Sequence, residues 1–335
     1  MTSNTHIPLT SSELSNLWMT YQKKTMIVRF LEHFKEHAKD TQTQQILNNY
    51  SNLANQAIND LTSFFRQEGA ALPLGFTEND LKKGTPKLYD YHYDIMFAHL
   101  LTKISIGLYA LYSTMSYRKD IRAFFKRLTS EGQDLYDQCT EYLLEKGILA
   151  RPPYISMPID YSFVTDKGYL SGYHIIQENR SLNSIELSLL HHAIETNLTG
   201  MQLMIGFAQC ASTKEVKDYF IRGMKLSKEV ETTLGDFLRK DYIEPPATHA
   251  GKVTASTVAP FSEKMMMYIT SLLSTFGLGS NALGGAFSLR SDLPITMARI
   301  GQKVYFFAKE GGEIMINNGW LEKPPQVEDR KKLTK

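Results

Sequence analysis

The sequence predicts an all-α fold made of two tandem four-helix bundles. An internal repeat covers most of the chain, and long stretches carry apolar residues at helical spacing. A Gly-x-Leu-x-x-Pro-Pro pattern also occurs twice, in "EKGILARPP" ending at Pro153 and in "NNGWLEKPP" ending at Pro325. In each phrase a glycine follows a helical pattern and two prolines prevent the helix from continuing.

The repeat is visible when the chain is aligned with itself. With an offset of 173 residues, Glu13-Leu14-Ser15 aligns with Glu186-Leu187-Ser188. After a one-residue slip, an offset of 172 aligns "SYRKD" from Ser116 with "SLRSD" from Ser288, and it also aligns the two Pro-Pro endings. A single gap over so long an alignment indicates a duplicated domain.

The repeat divides the chain into four parts. We predict bundles at residues 1–153 and 183–325, a strap between the repeats at 154–182, and a disordered charged tail at 326–335. The strap is rich in aromatic and β-branched residues, which argues against a flexible linker. Its segment "FVTDKGYL" is compatible with a small hairpin around Asp166.

Each repeat contains four helical patterns, A to D. In the first repeat they run approximately over Ser11–Lys39, Thr41–Gln67, Asp90–Met115 and Asp120–Lys146. Asp120 and its counterpart Asp292 stand where a helix N-cap is required. Gly147 and Gly319 suit the left-handed residue that follows a helix.

The connections predict the topology. Patterns A and B, and likewise C and D, are joined by short loops, so each pair forms an antiparallel hairpin. The B–C connections, residues 68–89 and 241–260, are long enough to cross the bundle lengthwise, which makes B and C parallel. A four-helix bundle with one long crossover is the ferritin-like arrangement.

Several functions are disfavoured by the sequence. Di-iron proteins of this architecture carry Glu-x-x-His on two helices, and none of the nine histidines has a Glu three positions earlier. A net charge of +2 gives no electrostatic case for nucleic acid as a partner. Two cysteines, Cys139 and Cys210, in a chain of this length are typical of a reducing compartment, so we expect a cytoplasmic location.

A weaker metal signal lies in the first repeat. His33 and His37 stand four residues apart near the end of helix A, and the crossover topology puts His99 and Asp137 at a similar depth. Two histidines and a carboxylate can bind a divalent transition metal. In the alternative interpretation His33 lies on a solvated face and His99 is a hydrogen-bonded core residue. The second repeat has other residues at these four positions: Gly206, Cys210, Ser271 and Lys309.

Both repeats share a set of charged residues that the topology places at one end of the bundle. The sets are Glu13, Arg66, Arg118 and Asp120, and Glu186, Arg239, Arg290 and Asp292. One interpretation is an ion-pair and capping network that fixes the register of the helices. The other is a site for an anion or a small polar ligand, built on the two arginines of each set.

One segment, Met265 to Leu289, carries no charge and is long enough to span a bilayer. It is rich in Gly, Ser and Thr, however, and its counterpart in the first repeat contains Asp94, His99 and Lys103. We therefore expect no membrane insertion but a helix covered by protein, including a second copy of the chain, so that the protein is a homo-oligomer.

The opening "LTSSELSNLW", the corners "SYRKDI" and "SLRSDLP", and the endings "KGILARPPYI" and "NGWLEKPP" resemble a family of tandem domains of unknown function from spore-forming bacteria. The resemblance implies two ferritin-like bundles in one polypeptide, and some members are labelled as proposed spore coat proteins. It implies no activity and no catalytic residues. We expect a non-enzymatic structural or interaction protein, associated with the spore and without a cofactor. The alternative is a protein that binds a metal or a small ligand.

Overall fold

The computed structural model describes residues 7–90, 92–172, 179–247 and 253–334. These residues form eight long helices, which confirms the all-α prediction, and an isolated β-bridge joins Tyr89 to Val253. The helices are α1 (Ser11–His37), α2 (Thr41–Gln67), α3 (Tyr93–Thr114), α4 (Lys119–Glu145), α5 (Ser184–Cys210), α6 (Lys214–Lys240), α7 (Glu263–Phe287) and α8 (Asp292–Asn317). A four-residue helix, α9 (Arg330–Leu333), lies in the segment predicted to be a disordered tail.

The helix ends follow from local chemistry. Gly147 and Gly319 have φ values of 66° and 67°, as predicted for the left-handed residue after a helix. The prediction that Asp120 and Asp292 are N-caps is wrong. Both lie in the first turn, at the second position of α4 and the first of α8. Their carboxylates pair with the arginine two residues earlier in the chain.

The chain forms two compact units, and each contains parts of both sequence repeats. The first holds the described residues up to Gly84, Leu101–Cys139, and those from Gly319 onward. The second holds Thr85–Leu100 and Thr140–Asn318. The division therefore falls within α3 and α4. The compact units do not coincide with the sequence repeats. The predicted boundaries at 1–153 and 183–325 therefore remain a prediction about the duplicated sequence.

In the second unit α5 packs on α6 and α7, and α8 packs on the same two helices. The Glu186 carboxylate, at the start of α5, accepts a hydrogen bond from the backbone N–H of Arg290, between α7 and α8. Asp241, after α6, accepts one from the backbone N–H of Leu182, before α5. Helices α6 and α7 thus end where α5 begins, so they are parallel, as the crossover prediction requires.

The first unit has the same arrangement of helix ends. Glu13, in the first turn of α1, accepts hydrogen bonds from the backbone N–H groups of Tyr117 and Arg118, which lie between α3 and α4. The guanidinium of Arg118 pairs with Glu68, after α2. A buried cluster joins the four helices and includes Leu17, Leu61, Phe65, Tyr109 and Phe125.

Each unit contains a segment from the other repeat, and hydrogen bonds hold that segment in place. In the second unit, the hydroxyls of Tyr89 and Tyr93 donate to the carbonyls of Leu203 and Thr199 on α5, at 3.0 and 3.1 Å. In the first unit, Glu322 accepts from the backbone N–H of Leu74 and Gly75 and from the side chain of Gln22. Buried tyrosines and the partly buried carboxylate of Glu322 thus bind segments that the repeat alone would assign elsewhere.

Two further sequence expectations concern the membrane-length apolar segment and the strap. The segment considered in the sequence was Met265–Leu289, most of which forms α7. Among the described residues, however, the helix that is long and apolar enough to cross a membrane by length and composition is α3, and two thirds of the tested window is buried within the protein, as in a core helix. In the described part of the strap, Lys167–Leu170 form a turn of 3₁₀ helix, and no hairpin is present there.

Candidate functional site

The centre of the second bundle contains a cavity of about 110 Å³. All four helices line it, and small residues leave it open: Gly200 on α5, Gly223 and Ser227 on α6, and Ser274 and Gly277 on α7. Gly223 also permits close packing, because a Cβ there would lie 2.7 Å from the ring of Phe307. The cavity is therefore a consequence of side-chain size at positions where a packed bundle would carry larger residues.

The walls of this cavity are mostly apolar and carry no charged side chain among the described residues. Several polar lining groups are satisfied within the protein: the Asn197 side chain donates to the carbonyl of Ser227, and the Ser274 hydroxyl donates to the carbonyl of Thr270. The hydroxyl of Thr196 is buried without a hydrogen-bond partner. A bound molecule would meet mostly apolar surface, with a few neutral polar side chains and no charge from the described residues.

The first bundle has a site at the equivalent position, but it is filled. The offsets of the repeat place Tyr50 where the second bundle has Gly223, and Tyr109 where it has Asn281. Lys24 stands at the position of Asn197, and Ser105 at that of Gly277. The four residues of the first bundle line a space of about 10 Å³, which is the size of one water molecule.

This filled site is rich in hydrogen-bond donors. The hydroxyls of Tyr50, Ser105 and Tyr109 are buried and lack a hydrogen bond of good geometry, although Ser105 lies close to both tyrosines. The Nζ atom of Lys23 also has no hydrogen-bond partner and lies 4.1 Å from the centroid of the Tyr109 ring. Burial lowers the pKa of Lys23 well below its ordinary value and lowers the pKa of Lys24 to about 8.

The shared charged residues form ion-pair networks at one end of each bundle. In the second bundle, Arg180 makes two bonds of 2.7 and 2.8 Å to Glu186, while Arg290 pairs with Asp292 at 2.9 Å and donates to the carbonyl of Arg180. Burial alone would raise the pKa of Glu186. The Arg180 guanidinium and backbone N–H groups outweigh that effect and lower it. These contacts fix the helix ends, as the first interpretation of the set expects.

The first bundle repeats this network with one difference. Arg118 pairs with Asp120 and Glu68 and donates to the carbonyl of Ile7, which stands at the repeat position of Arg180. In both bundles Glu13 or Glu186 completes a capping box, with Thr10 or Asn183 respectively. The sequence patterns "TSSE" and "NSIE" carry the spacing of that motif, which could have revealed this role.

Two predicted members lie outside these networks. Arg66 is exposed on α2, and the network carboxylate at this end of the helix is Glu68. Arg239 pairs with Asp236 and Glu231 on its own helix. Arg180, by contrast, was missed, because its counterpart Ile7 has no charge and the repeat gave no signal for it.

The histidines of the first repeat are only partly brought together. His33 and His37 form a group with Glu36, in which the candidate ligand atoms lie within 4.8 Å of one another. Asp137 is exposed on α4, and His99 belongs to the second unit. His33 is only 1% exposed, so the interpretation that it lies on a solvated face is wrong. Glu36 was missed, although "HFKEH" has the H-x-x-E-H spacing that occurs in one class of zinc sites.

The cysteines have no feature of reactive thiols. Cys139 and Cys210 are both buried and not joined in a disulfide. Burial raises the pKa of each thiol to about 12, which keeps it protonated and unreactive at neutral pH.

Comparison with known proteins places the sequence repeat in a family. No curated protein matches the chain. A solved structure of a proposed spore coat protein from Bacillus halodurans C-125 is 17% identical, with a TM-score of 0.43, covering 45% of this chain and 98% of that one. A family model described as "Protein of unknown function (DUF3231)" matches residues 1–159 and again residues 171–333. The chain therefore belongs to the DUF3231 family and carries two tandem copies of its domain.

Proposed function

We propose that this protein is a non-enzymatic binding protein whose second bundle takes up a small, mostly apolar molecule. The observation that carries the proposal is the cavity of about 110 Å³ at the centre of the bundle. An engineered apolar cavity of about 150 Å³ is enough to bind benzene, so the volume suits a molecule of about this size.

The energetic cost of the cavity supports a binding role. At about 24 cal/mol per Å³, a closed empty cavity of this size would cost roughly 3 kcal/mol of stability, which is an upper bound here because the cavity is partly open to solvent. The first bundle shows that the same fold accommodates large side chains here, because Tyr50 occupies the position of Gly223. The second repeat thus retains a cavity that larger side chains at these positions could fill.

The lining also indicates the chemical class of the ligand. A charged molecule would lose its hydration without finding a counter-charge, since the described lining residues carry none. Neutral polar side chains among the lining residues, such as Ser227 and Ser280, can offer a hydrogen bond. The ligand we propose is therefore a neutral molecule with an apolar body and one hydrogen-bonding group, for which phenol is a suitable probe.

A pair of glycine variants tests this proposal. Gly277 lines the cavity, and an added Cβ would meet no atom within 4 Å, so Gly277→Leu fills the opening. Gly279, two residues along the same helix, is exposed, and Gly279→Leu serves as the control because it gains the same helix propensity. We expect benzene and phenol to raise the melting temperature of the wild type and of Gly279→Leu but not of Gly277→Leu. No shift for the wild type with either probe contradicts the proposal.

A second candidate function is metal binding by His33, Glu36 and His37 on one turn of α1. The grouping of their ligand atoms supports it, and imidazole with carboxylate suits a divalent transition metal such as zinc. The Glu36 carboxylate also accepts a hydrogen bond from the backbone N–H of Gly84, which orients it. Only this group, without His99 or Asp137, is now proposed as the ligand set.

Calorimetric titration with zinc tests this candidate. We expect one zinc per chain for the wild type and at least tenfold weaker binding after Glu36→Gln. Glu32→Gln is the control, because Glu32 lies on the same helix and pairs with Arg29. Equal zinc binding by the two variants would remove Glu36 from the site, and no uptake by the wild type would end the candidate.

We further propose that the chain self-associates as a structural component associated with the spore. Exposed apolar residues at the end of α7 and just beyond it, Leu283, Phe287 and Leu289, support the self-association, because the sequence from Met265 to Leu289 offers no charge to keep chains apart. We expect the wild type to sediment as a dimer and Phe287→Lys as a monomer.

The family resemblance supports the spore location. A fluorescent fusion that stays in the mother-cell cytoplasm during sporulation contradicts that location.

A further inference from the structure

We propose that the centre of the first bundle binds a small monatomic anion such as chloride. The site lies among Lys24, Tyr50, Ser105 and Tyr109, with Lys23 against the Tyr109 ring. It is separate from the cavity of the second bundle and does not depend on the function proposed for that cavity.

The donor groups are the first argument. Three hydroxyls, those of Tyr50, Ser105 and Tyr109, are buried around one small space without a hydrogen bond of good geometry. Each of these residues is at most 4% exposed, so bulk water does not satisfy them. Ser105 can accept from both tyrosines, but its own hydroxyl hydrogen then lacks an acceptor. Because buried polar groups in folded proteins nearly always have a partner, this arrangement indicates an acceptor in the space.

The charges are the second argument, and they favour an anion over water. Lys23 and Lys24 are both buried, and an ammonium group can only donate hydrogen bonds. Glu131 also lines this space and acts on Lys24, but it is shared with Arg127 in an ion pair, so the basic groups here outnumber the carboxylate. A bound anion would favour the charged form of these two buried amines, which burial otherwise disfavours.

The size of the space is the third argument. A volume of about 10 Å³ admits one water-sized particle, which excludes phosphate, sulfate and organic acids. The same position in the second bundle offers a larger space and no charge, since Thr196 and Asn197 replace the two lysines. Duplication has thus produced two interior sites with opposite preferences, one for a neutral molecule and one for a small anion.

Halide-dependent stability tests the proposal on the full chain. Both tryptophans, Trp18 and Trp320, lie in the first unit, so their fluorescence reports urea unfolding of that unit. Chloride is varied against gluconate, which is too large for the site, at constant ionic strength. Above the dissociation constant, we expect the unfolding equilibrium constant to fall tenfold for each tenfold rise in chloride.

Two variants and a crystal complete the test. Tyr109→Phe should weaken chloride binding about tenfold, because it removes one donor. Tyr112→Phe should leave it unchanged, because the Tyr112 hydroxyl contacts Met19 instead. A crystal grown in bromide should show an anomalous peak among the three hydroxyls. Unfolding that does not respond to chloride, or a peak without anomalous signal, would mean that a water molecule fills the space and would overturn the proposal.

Discussion

Replacing Lys24 by Met is expected to stabilise the first unit, by an amount that depends on pH. Lys24 is 5% exposed on α1, and burial lowers its pKa from an ordinary 10.5 to about 8. Because the pKa is lower in the folded state, the unfolded chain binds more protons between pH 8 and pH 10.5. Folding is therefore penalised below pH 8, and the penalty disappears as pH rises to 10.5.

The size of the effect follows from the shift. About 2.5 pKa units at 1.36 kcal/mol each correspond to roughly 3 kcal/mol. Methionine has a similar shape and no charge, so Lys24→Met should be roughly 3 kcal/mol more stable relative to the wild type at pH 7 than at pH 10.5. The advantage should decline by up to about 1.4 kcal/mol per pH unit within that window.

The assay is urea unfolding followed by tryptophan fluorescence, in gluconate so that no halide contributes. Ionisation of tyrosines and cysteines also changes stability at high pH, but it is common to both proteins and cancels in their difference. Lys126, exposed on α4, provides the control variant Lys126→Met, for which no pH-dependent difference is expected. A difference between Lys24→Met and the wild type that stays constant from pH 7 to pH 10 would refute the reasoning, since it would show that the folded protein leaves this amine hydrated.

Two further variants probe the second unit by thermal and urea unfolding followed by circular dichroism. Gly206→Ala should cost about 1–3 kcal/mol, because its Cβ would lie 2.5 Å from the Tyr89 hydroxyl, whereas Gly279→Ala should not destabilise. Glu186→Gln should cost about 3 kcal/mol or more at pH 7, because Arg180 loses a buried partner. The pKa of Glu186 is lowered from 4.5, so its contribution is complete above pH 4.5 and is lost as pH falls through the lower value. Glu186→Gln should lack that acid dependence.

Much of the fold could be predicted because its signals are local. Helical periodicity, the Pro-Pro endings and loop lengths gave the helices and their directions. The predictions for Gly147 and Gly319 were confirmed because a left-handed backbone limits the residue type. The compact units could not be predicted in this way. They depend on where groups such as the buried Tyr93 and the partly buried Glu322 find partners far away in the sequence.

The candidate sites were less predictable. Adjacent lysines such as Lys23 and Lys24 usually indicate a solvated helix face, because isolated charges are costly to bury. Glu36 lies between the two histidines, but its proximity to them depends on side-chain orientation. Arg180 lies outside the repeat pattern and is recognised only through its two bonds to Glu186.

The sequence by itself determined an all-α chain, a duplication and one long crossover in each copy, because these depend on periodicity, turn chemistry and connection length. Only the tertiary structure decided what lies at the centre of each bundle. There, four helices bring together residues distant in sequence, and the balance of side-chain volume and charge leaves the second bundle open and the first filled with hydroxyls and amines. Packing is a property of the set of neighbours, so no single segment of the sequence contains it.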